Sequence, residues 1–185
     1  LRGELLDLNA GACAAAAAAP CSRREDLTVM TVSLSGGCAC GGLRYRLAAR
    51  PMFVHCCHCK DCQRQTGSAF VINALIETSR VEILSGTTIA IPVPTDSGRP
   101  HVIHRCPDCQ TALWSHYGGR DALSFVRVGT LDEPAAAPPD VHIYTRSKLP
   151  WVVLPEGVPA FEEYYDSRAL WPPESLARRK AALAG

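Results

Sequence analysis

Four thiols and two imidazoles fall within eight consecutive residues, His55-Cys56-Cys57-His58-Cys59-Lys60-Asp61-Cys62, and no other stretch limits the possible folds as much. Thiolate is the protein ligand that zinc prefers, and tetrahedral geometry needs donors close in space without crowding. A Cys-x-Cys step followed by Cys-x-x-Cys lets one tight turn present Cys57, Cys59 and Cys62 to a single metal. Two further pairs flank this cluster, Cys38 with Cys40 upstream and Cys106 with Cys109 downstream. The rest of the chain reads as scaffold that brings the three clusters together.

Ten cysteines in 185 residues also raise the alternative of a secreted disulfide framework. The spacing argues against it. Cys38/Cys40 and Cys57/Cys59 are too close to bond each other without strain, and a chain of this length has room for a core of its own. Paired short spacings in such a chain indicate metal ligands in a reducing compartment, here the cytoplasm. A formal net charge of +1 gives no electrostatic reason to expect nucleic acid or an anionic membrane as partner. No apolar run reaches the ~20 residues that a membrane helix needs. The sequence carries no signature of an oligomeric state.

Residues 1–29 differ from the rest of the chain. They hold an alanine tract at Ala14–Ala19 and two cysteines, Cys13 and Cys21, outside any ligand spacing. A signal peptide would share the alanine content, but Glu4 and Asp7 make the leading segment acidic. The preferred reading is a disordered or artefactual extension, with Met30 as the natural start. Residues 30–167 then form the zinc domain, and 168–185 a C-terminal tail or helix.

From Met30 onward, short alternating segments are divided by turns, the pattern of an all-β domain with about nine strands. Predicted strands cover Leu43–Leu47, Met52–Val54, Phe70–Ile76, Val81–Leu84, Ile89–Val93, His101–Arg105, Thr111–Tyr117, Leu123–Val128 and Val141–Thr145. Pro92 and Pro94 send the Ile89 segment to a sheet edge. Lys60–Gly67 is a short helical turn stopped by its glycine. Gly36-Gly37-Cys38-Ala39-Cys40-Gly41-Gly42 is a glycine-framed knuckle. Phe161, Tyr164 and Tyr165 are expected to close the core. Glu174–Leu183 is expected to be helical, with Arg178, Arg179 and Lys180 as a solvated face.

Cys38, Cys40, Cys106 and Cys109 add to four thiolates, a closed set that makes zinc structural and staples two distant parts of the chain. Cys57, Cys59 and Cys62 form a three-thiolate set whose fourth position is open to water or substrate. The competing reading closes that set with Cys56, His55 or His58. Strand alternation turns Cys56 away from Cys57, which favours the open set and leaves Cys56 as a buried apolar residue. His101, His104, His116 and His142 share no ligand spacing and read as structural. His58 is the better acid–base candidate, although its place between two ligands turns it from the metal.

Together these residues resemble the glutathione-dependent formaldehyde-activating (GFA) family, also called the centromere protein V/GFA family. The resemblance covers residues 34–152. It rests on Gly37-Cys38-Ala39-Cys40-Gly41 with Arg44-Tyr45, on Cys57-His58-Cys59-Lys60-Asp61-Cys62-Gln63-Arg64, and on Gly67-Ser68-Ala69-Phe70. Cys106-Pro107-Asp108-Cys109 with Leu113-Trp114, His142-Ile143-Tyr144, Ser147-Lys148 and Pro150-Trp151 complete it. The resemblance implies a mainly β fold, a β-tent built on zinc knuckles with a short C-terminal helix. It implies two zinc ions, one structural at Cys38, Cys40, Cys106 and Cys109 and one tied to activity at Cys57, Cys59 and Cys62. The implied reaction is that of a carbon–sulfur lyase joining glutathione, as co-substrate, to formaldehyde, or acting on a similar small-molecule thiol–aldehyde pair. Two departures stand out: Gln110 replaces the family's glycine after the third knuckle, and Cys56 is an extra thiol. The rival functional class is a non-enzymatic zinc module of β-tent fold that binds another protein; a thiol redox sensor and a nucleic-acid binder are further alternatives.

Overall fold

Alternating apolar residues build strands here, and the glycines and prolines between them fold the chain into hairpins. The computed structural model describes residues 34–184. The extension at 1–29, with Cys13 and Cys21, and the expected start at Met30 lie outside the described residues. The fold is mainly β, in two sheets. Strands β1 (Leu34–Gly37), β2 (Arg44–Leu47) and β5 (Val81–Ser85) make an antiparallel three-stranded sheet in the order β1-β2-β5. The remaining strands are β3 (Phe53–Cys57), β4 (Val71–Glu77), β6 (Ile89–Pro92), β7 (His101–Arg105), β8 (Ala112–Tyr117), β9 (Leu123–Arg127) and β10 (Val141–Ile143). They form a seven-stranded sheet in the order β10-β3-β4-β9-β8-β7-β6. Only the β10–β3 pair is parallel.

Ten strands are present among the described residues, against nine expected. The additional one is β1, whose Ser35-Gly36-Gly37 lacks the branched side chains that mark a strand. Glycine is needed there, because a methyl at Gly36 would overlap the Thr130 carbonyl and the Tyr45 ring. In the large sheet β6 is an edge strand, where the missing N–H of Pro92 costs no ladder bond.

Both faces of the large sheet are covered, which is why all five residues of β3 are buried. Tyr45 and Leu47 from the small sheet pack with Val54, Ala74, Ile76, Trp114 and Val126 of the large one. Odd-numbered positions on the other face, Phe53, Leu75 and Leu123, form a second core with Met52, Val141 and Trp171. Trp171 stacks on Phe53 with ring centroids 5.0 Å apart. Phe161 and Tyr165 pack against this core, whereas Tyr164 is half exposed and stacks on Tyr165. Among the described residues no helix is long and apolar enough to cross a membrane.

Trp171 joins α2 (Ser167–Leu170) to α3 (Pro173–Ala184), the expected C-terminal helix. The basic cluster on α3 is not the solvated face that its composition suggests. Arg178 donates from Nε to Glu77 at 2.8 Å and from Nη1 to the Arg50 carbonyl at 2.9 Å. Arg179 lies 5.5 Å from the Trp171 ring centroid. Burial alone would raise the Glu77 carboxyl, but the Arg178 hydrogen bonds outweigh it and hold the group below its ordinary value. A depressed carboxylate stabilises the fold above its unfolded value, about pH 4.3, and that contribution disappears as pH falls through the lower folded value. Arg178→Ala is therefore expected to cost about 1–2 kcal/mol at pH 7, the partly exposed guanidinium being screened by water. In urea denaturation the gap from the parent chain should close toward pH 3. An equal gap at both pH values would assign the loss to packing instead.

Candidate metal centres

Turn geometry assembles the first sulfur group. Between β1 and β2 the Cys38 N–H donates to the Leu43 carbonyl at 3.0 Å, and the Leu43 N–H returns to Cys38 Sγ at 3.2 Å. The turn from β7 to β8 repeats the device, with Cys106 N–H donating to the Thr111 carbonyl at 3.0 Å. Gln110 takes a φ of 59°, the left-handed region that glycine occupies without strain. Its side-chain amide donates to the Pro107 carbonyl at 2.8 Å, which offsets a strain of order 1 kcal/mol. Thr111 Oγ1 accepts from the Ala39 N–H at 3.2 Å and lies 3.1 Å from Cys109 Sγ, tying the two turns together. The sulfurs of Cys38, Cys40, Cys106 and Cys109 all lie within 4.8 Å of one another, with Cys40 and Cys106 at 3.8 Å. Sulfurs around one zinc stand about 3.8 Å apart, given bonds of about 2.3 Å. All eight described cysteines are free thiols.

The second group forms where β3 runs into α1 (Lys60–Thr66). Cys57 ends the strand, Cys59 caps the helix and accepts the Cys62 N–H on its sulfur at 3.4 Å, and Cys62 lies in the first turn. Gly67 closes the helix in the left-handed conformation, as its position predicts. Gln63 pins the approach by donating to the carbonyls of His58 at 2.7 Å and Ser147 at 2.9 Å. The three sulfurs lie within 4.8 Å of one another, and among the described residues no further His, Cys, Asp or Glu joins the group. Cys59 is pulled down to about 2 by hydrogen bonds from Cys57 and then Cys62, while Cys57 is pushed up by sharing its hydrogen with Cys59. Sharing of hydrogens within the group thus favours the thiolate at Cys59 over that at Cys57. Three thiolates together need a cation, and a soft sulfur set fits zinc.

The residues that would have closed this group are engaged elsewhere. His55 Nε2 lies 2.9 Å from the Tyr165 hydroxyl. His58 is fully buried, 3.0 Å from His142 Nδ1 and 3.6 Å from Cys56 Sγ. Burial, and then the neighbouring His142, push His58 down to about 4, so it is neutral as well as turned from the three sulfurs. Cys56 is buried and outside the three-sulfur group, as strand alternation predicts, and it lies beside His58 and His142. His142 comes from a strand paired in parallel with β3, and no local spacing could have announced that contact.

A pocket of about 420 Å³ opens where β4 begins and β9 ends, walled by Phe70, Val71 and Ile72 with Arg105 and Arg127. Cys57 pairs with Val71 across β3–β4, and Asn73 pairs with Arg127 across β4–β9. Alternation then puts Cys57, Val71, Asn73 and Arg127 on one face of the sheet. Burial pushes the Arg127 guanidinium down, and the negative charge of Cys62, Cys57 and Cys59 pulls it back up, so it lies within their electrostatic reach. Sequence reasoning missed Arg127, because Phe125-Val126-Arg127-Val128 reads as a strand with an outward cation.

Residues 33–147 match the family model described as glutathione-dependent formaldehyde-activating enzyme. A protein of Halomonas elongata provisionally named for that same activity is 26% identical over 155 residues, which cover 81% of this chain and 96% of that one. A solved structure of a Rhodobacter sphaeroides protein covers 53% of this chain and 87% of its own at 17% identity, with a TM-score of 0.39. With the family model spanning most of the described domain and both cysteine knuckles and the central cluster inside it, the chain belongs to the glutathione-dependent formaldehyde-activating family.

Proposed function

We propose that this chain is a zinc-dependent carbon–sulfur lyase that forms or cleaves S-(hydroxymethyl)glutathione or a similar thiol–aldehyde adduct. The observation that carries the reading is a group of three sulfurs, Cys57, Cys59 and Cys62, with no fourth protein ligand among the described residues. Cys38, Cys40, Cys106 and Cys109 would hold a second zinc in a closed, structural set. At the open set, zinc when bound supplies a position for a substrate sulfur and favours its thiolate form near neutral pH. In the forward reaction a sulfur–carbon bond forms, the carbonyl π pair moves to oxygen, and that oxygen takes a proton; the reverse breaks the same bond. No electrons are gained or lost overall.

The chain's own residues position and enclose. Val71, opposite Cys57 across β3–β4, presents apolar surface on the face of the open group, and Arg127, on that same face, would offset the negative charge of three thiolates. Proximity is a sufficient source of rate for an addition of this kind. A protein-binding module has the exposed Trp151 and Val153 in its favour, but leaves the open sulfur group without a use. The deciding experiment measures formaldehyde–glutathione adduct exchange by NMR with the zinc-loaded full chain. Exchange faster than the spontaneous rate, lost on chelation and restored by zinc, is expected. A rate equal to the spontaneous one with two zinc ions bound would remove the lyase reading.

A further inference from the structure

Cys56, His58 and His142 are a third group of metal-ligand type, and the proposed reaction makes no use of it. One ligand atom from each lies within 4.8 Å of the other two. His58 Nε2 stands 3.0 Å from His142 Nδ1 and 3.6 Å from Cys56 Sγ. Exposure is 1% for Cys56, 0% for His58 and 5% for His142. Strand register builds the group. Cys56 pairs with His142 across β3–β10, which puts both side chains on one face of the sheet, opposite the face that carries Cys57. An ion of zinc or copper size, with bonds of about 2.0 Å to nitrogen and 2.3 Å to sulfur, holds such donors about 3.3–3.8 Å apart. The two rings need part by only about half an ångström to admit one. Ligation also needs both imidazole protons on the outer nitrogens. His58 Nδ1 and His142 Nε2 are buried without a hydrogen-bond partner among the described residues, so no neighbour imposes the opposite tautomer.

The donor set and its burial choose between ions. One thiolate with two imidazoles suits either copper or zinc. Zinc asks for a fourth donor, and among the described residues no further His, Cys, Asp or Glu joins the group. Charge points the same way. A thiol buried without a cation is neutral, so a monovalent ion that displaces its proton to solvent leaves the charge of the site unchanged. A divalent ion would leave one positive charge desolvated and unpaired, and Lys148 already sets a positive charge against His58. We propose that Cys56, His58 and His142 form a binding site for a soft monovalent metal ion, copper(I), held by one sulfur and two nitrogens. The site is independent of the lyase reading, since it uses neither Cys57, Cys59 nor Cys62.

The test takes the full chain with its two sulfur groups filled with zinc and titrates it anaerobically with copper(I) buffered by bicinchoninate. Both metals are counted after desalting, and X-ray absorption at the copper edge reports the ligands. One copper per chain is expected, with the zinc content unchanged and a shell of one sulfur and two nitrogens. Cys56→Ser should weaken copper binding by about tenfold or more, because a hydroxyl is a harder and poorer donor to this ion, and should keep the parent's zinc. His142→Gln should weaken it as well. Copper taken up only in exchange for zinc, an all-sulfur shell, or no uptake by the parent chain would overturn the site. Those readings stand even if neither variant folds. Parent-like copper affinity in a folded Cys56→Ser would overturn it too. Copper bound in the expected shell by a chain that does not accelerate adduct exchange would leave the site standing and remove the lyase reading.

Discussion

Cys106→Ser is expected to release one of two bound zinc ions and to lower the melting temperature by about 8–16 °C, the equivalent of about 4 kcal/mol for a domain of this size. Cys106 is buried in the turn between β7 and β8, and its sulfur lies with those of Cys38 and Cys40 from the turn between β1 and β2. The two turns belong to different sheets. Zinc held by all four sulfurs would therefore tie the small sheet to the large one in addition to their shared core. Structural zinc contributes apparent binding energies of about 10–16 kcal/mol, as much as the whole net stability of a domain, about 5–15 kcal/mol. Serine offers a harder, weaker donor in the same volume, so the loss falls on ligation more than on packing. Metal content by chelator titration and melting by calorimetry check the two halves of the expectation. A variant with one zinc fewer and an unchanged melting temperature would separate this group from the stability of the fold.

How much of this architecture the chain declares in advance depends on the range of the signal. Alternation over four to six residues marks most of the strands, and Pro92 marks the sheet edge, because strand period and a missing N–H act locally. Cysteine spacing brings Cys57, Cys59 and Cys62 to one turn for the same reason. Pairing the Cys38 knuckle with the Cys106 knuckle across the chain was also accessible, because two short-spaced pairs add to one closed set of four thiolates. The features that escaped are set by register between distant strands. His142 reaches His58 only because β10 lies parallel to β3. Arg127 is turned inward because Asn73 sits opposite it, whereas a lone arginine in a strand ordinarily points to water. Arg178 likewise looks like one of three solvated cations until Glu77, on β4, meets it.

Cys59→Ser is expected to abolish accelerated adduct exchange, a loss on the order of 10²-fold or more if oriented proximity supplies the rate, while leaving the melting temperature within a few degrees. The substitution separates ligation from folding better than any other in the site. Cys59 is the cap of α1, and its sulfur accepts the Cys62 N–H at 3.4 Å. Serine is among the best residues for that position, so α1 keeps or improves its cap when the sulfur is lost. Cys59 is also only half-buried, unlike Cys57, so little core packing depends on it. What changes is the donor set: two sulfurs and a neutral hydroxyl hold zinc far less tightly than three thiolates. The variant should keep one zinc, that of the closed set, and its NMR exchange should fall to the spontaneous rate. Cys106→Ser and Cys59→Ser thus form a crossed pair, the first expected to act through stability and the second through rate. Parent-like exchange from a folded Cys59→Ser chain carrying one zinc would place the chemistry outside Cys57, Cys59 and Cys62. The crossed pattern would assign folding to one sulfur group and reactivity to the other, a division that neither variant could establish alone.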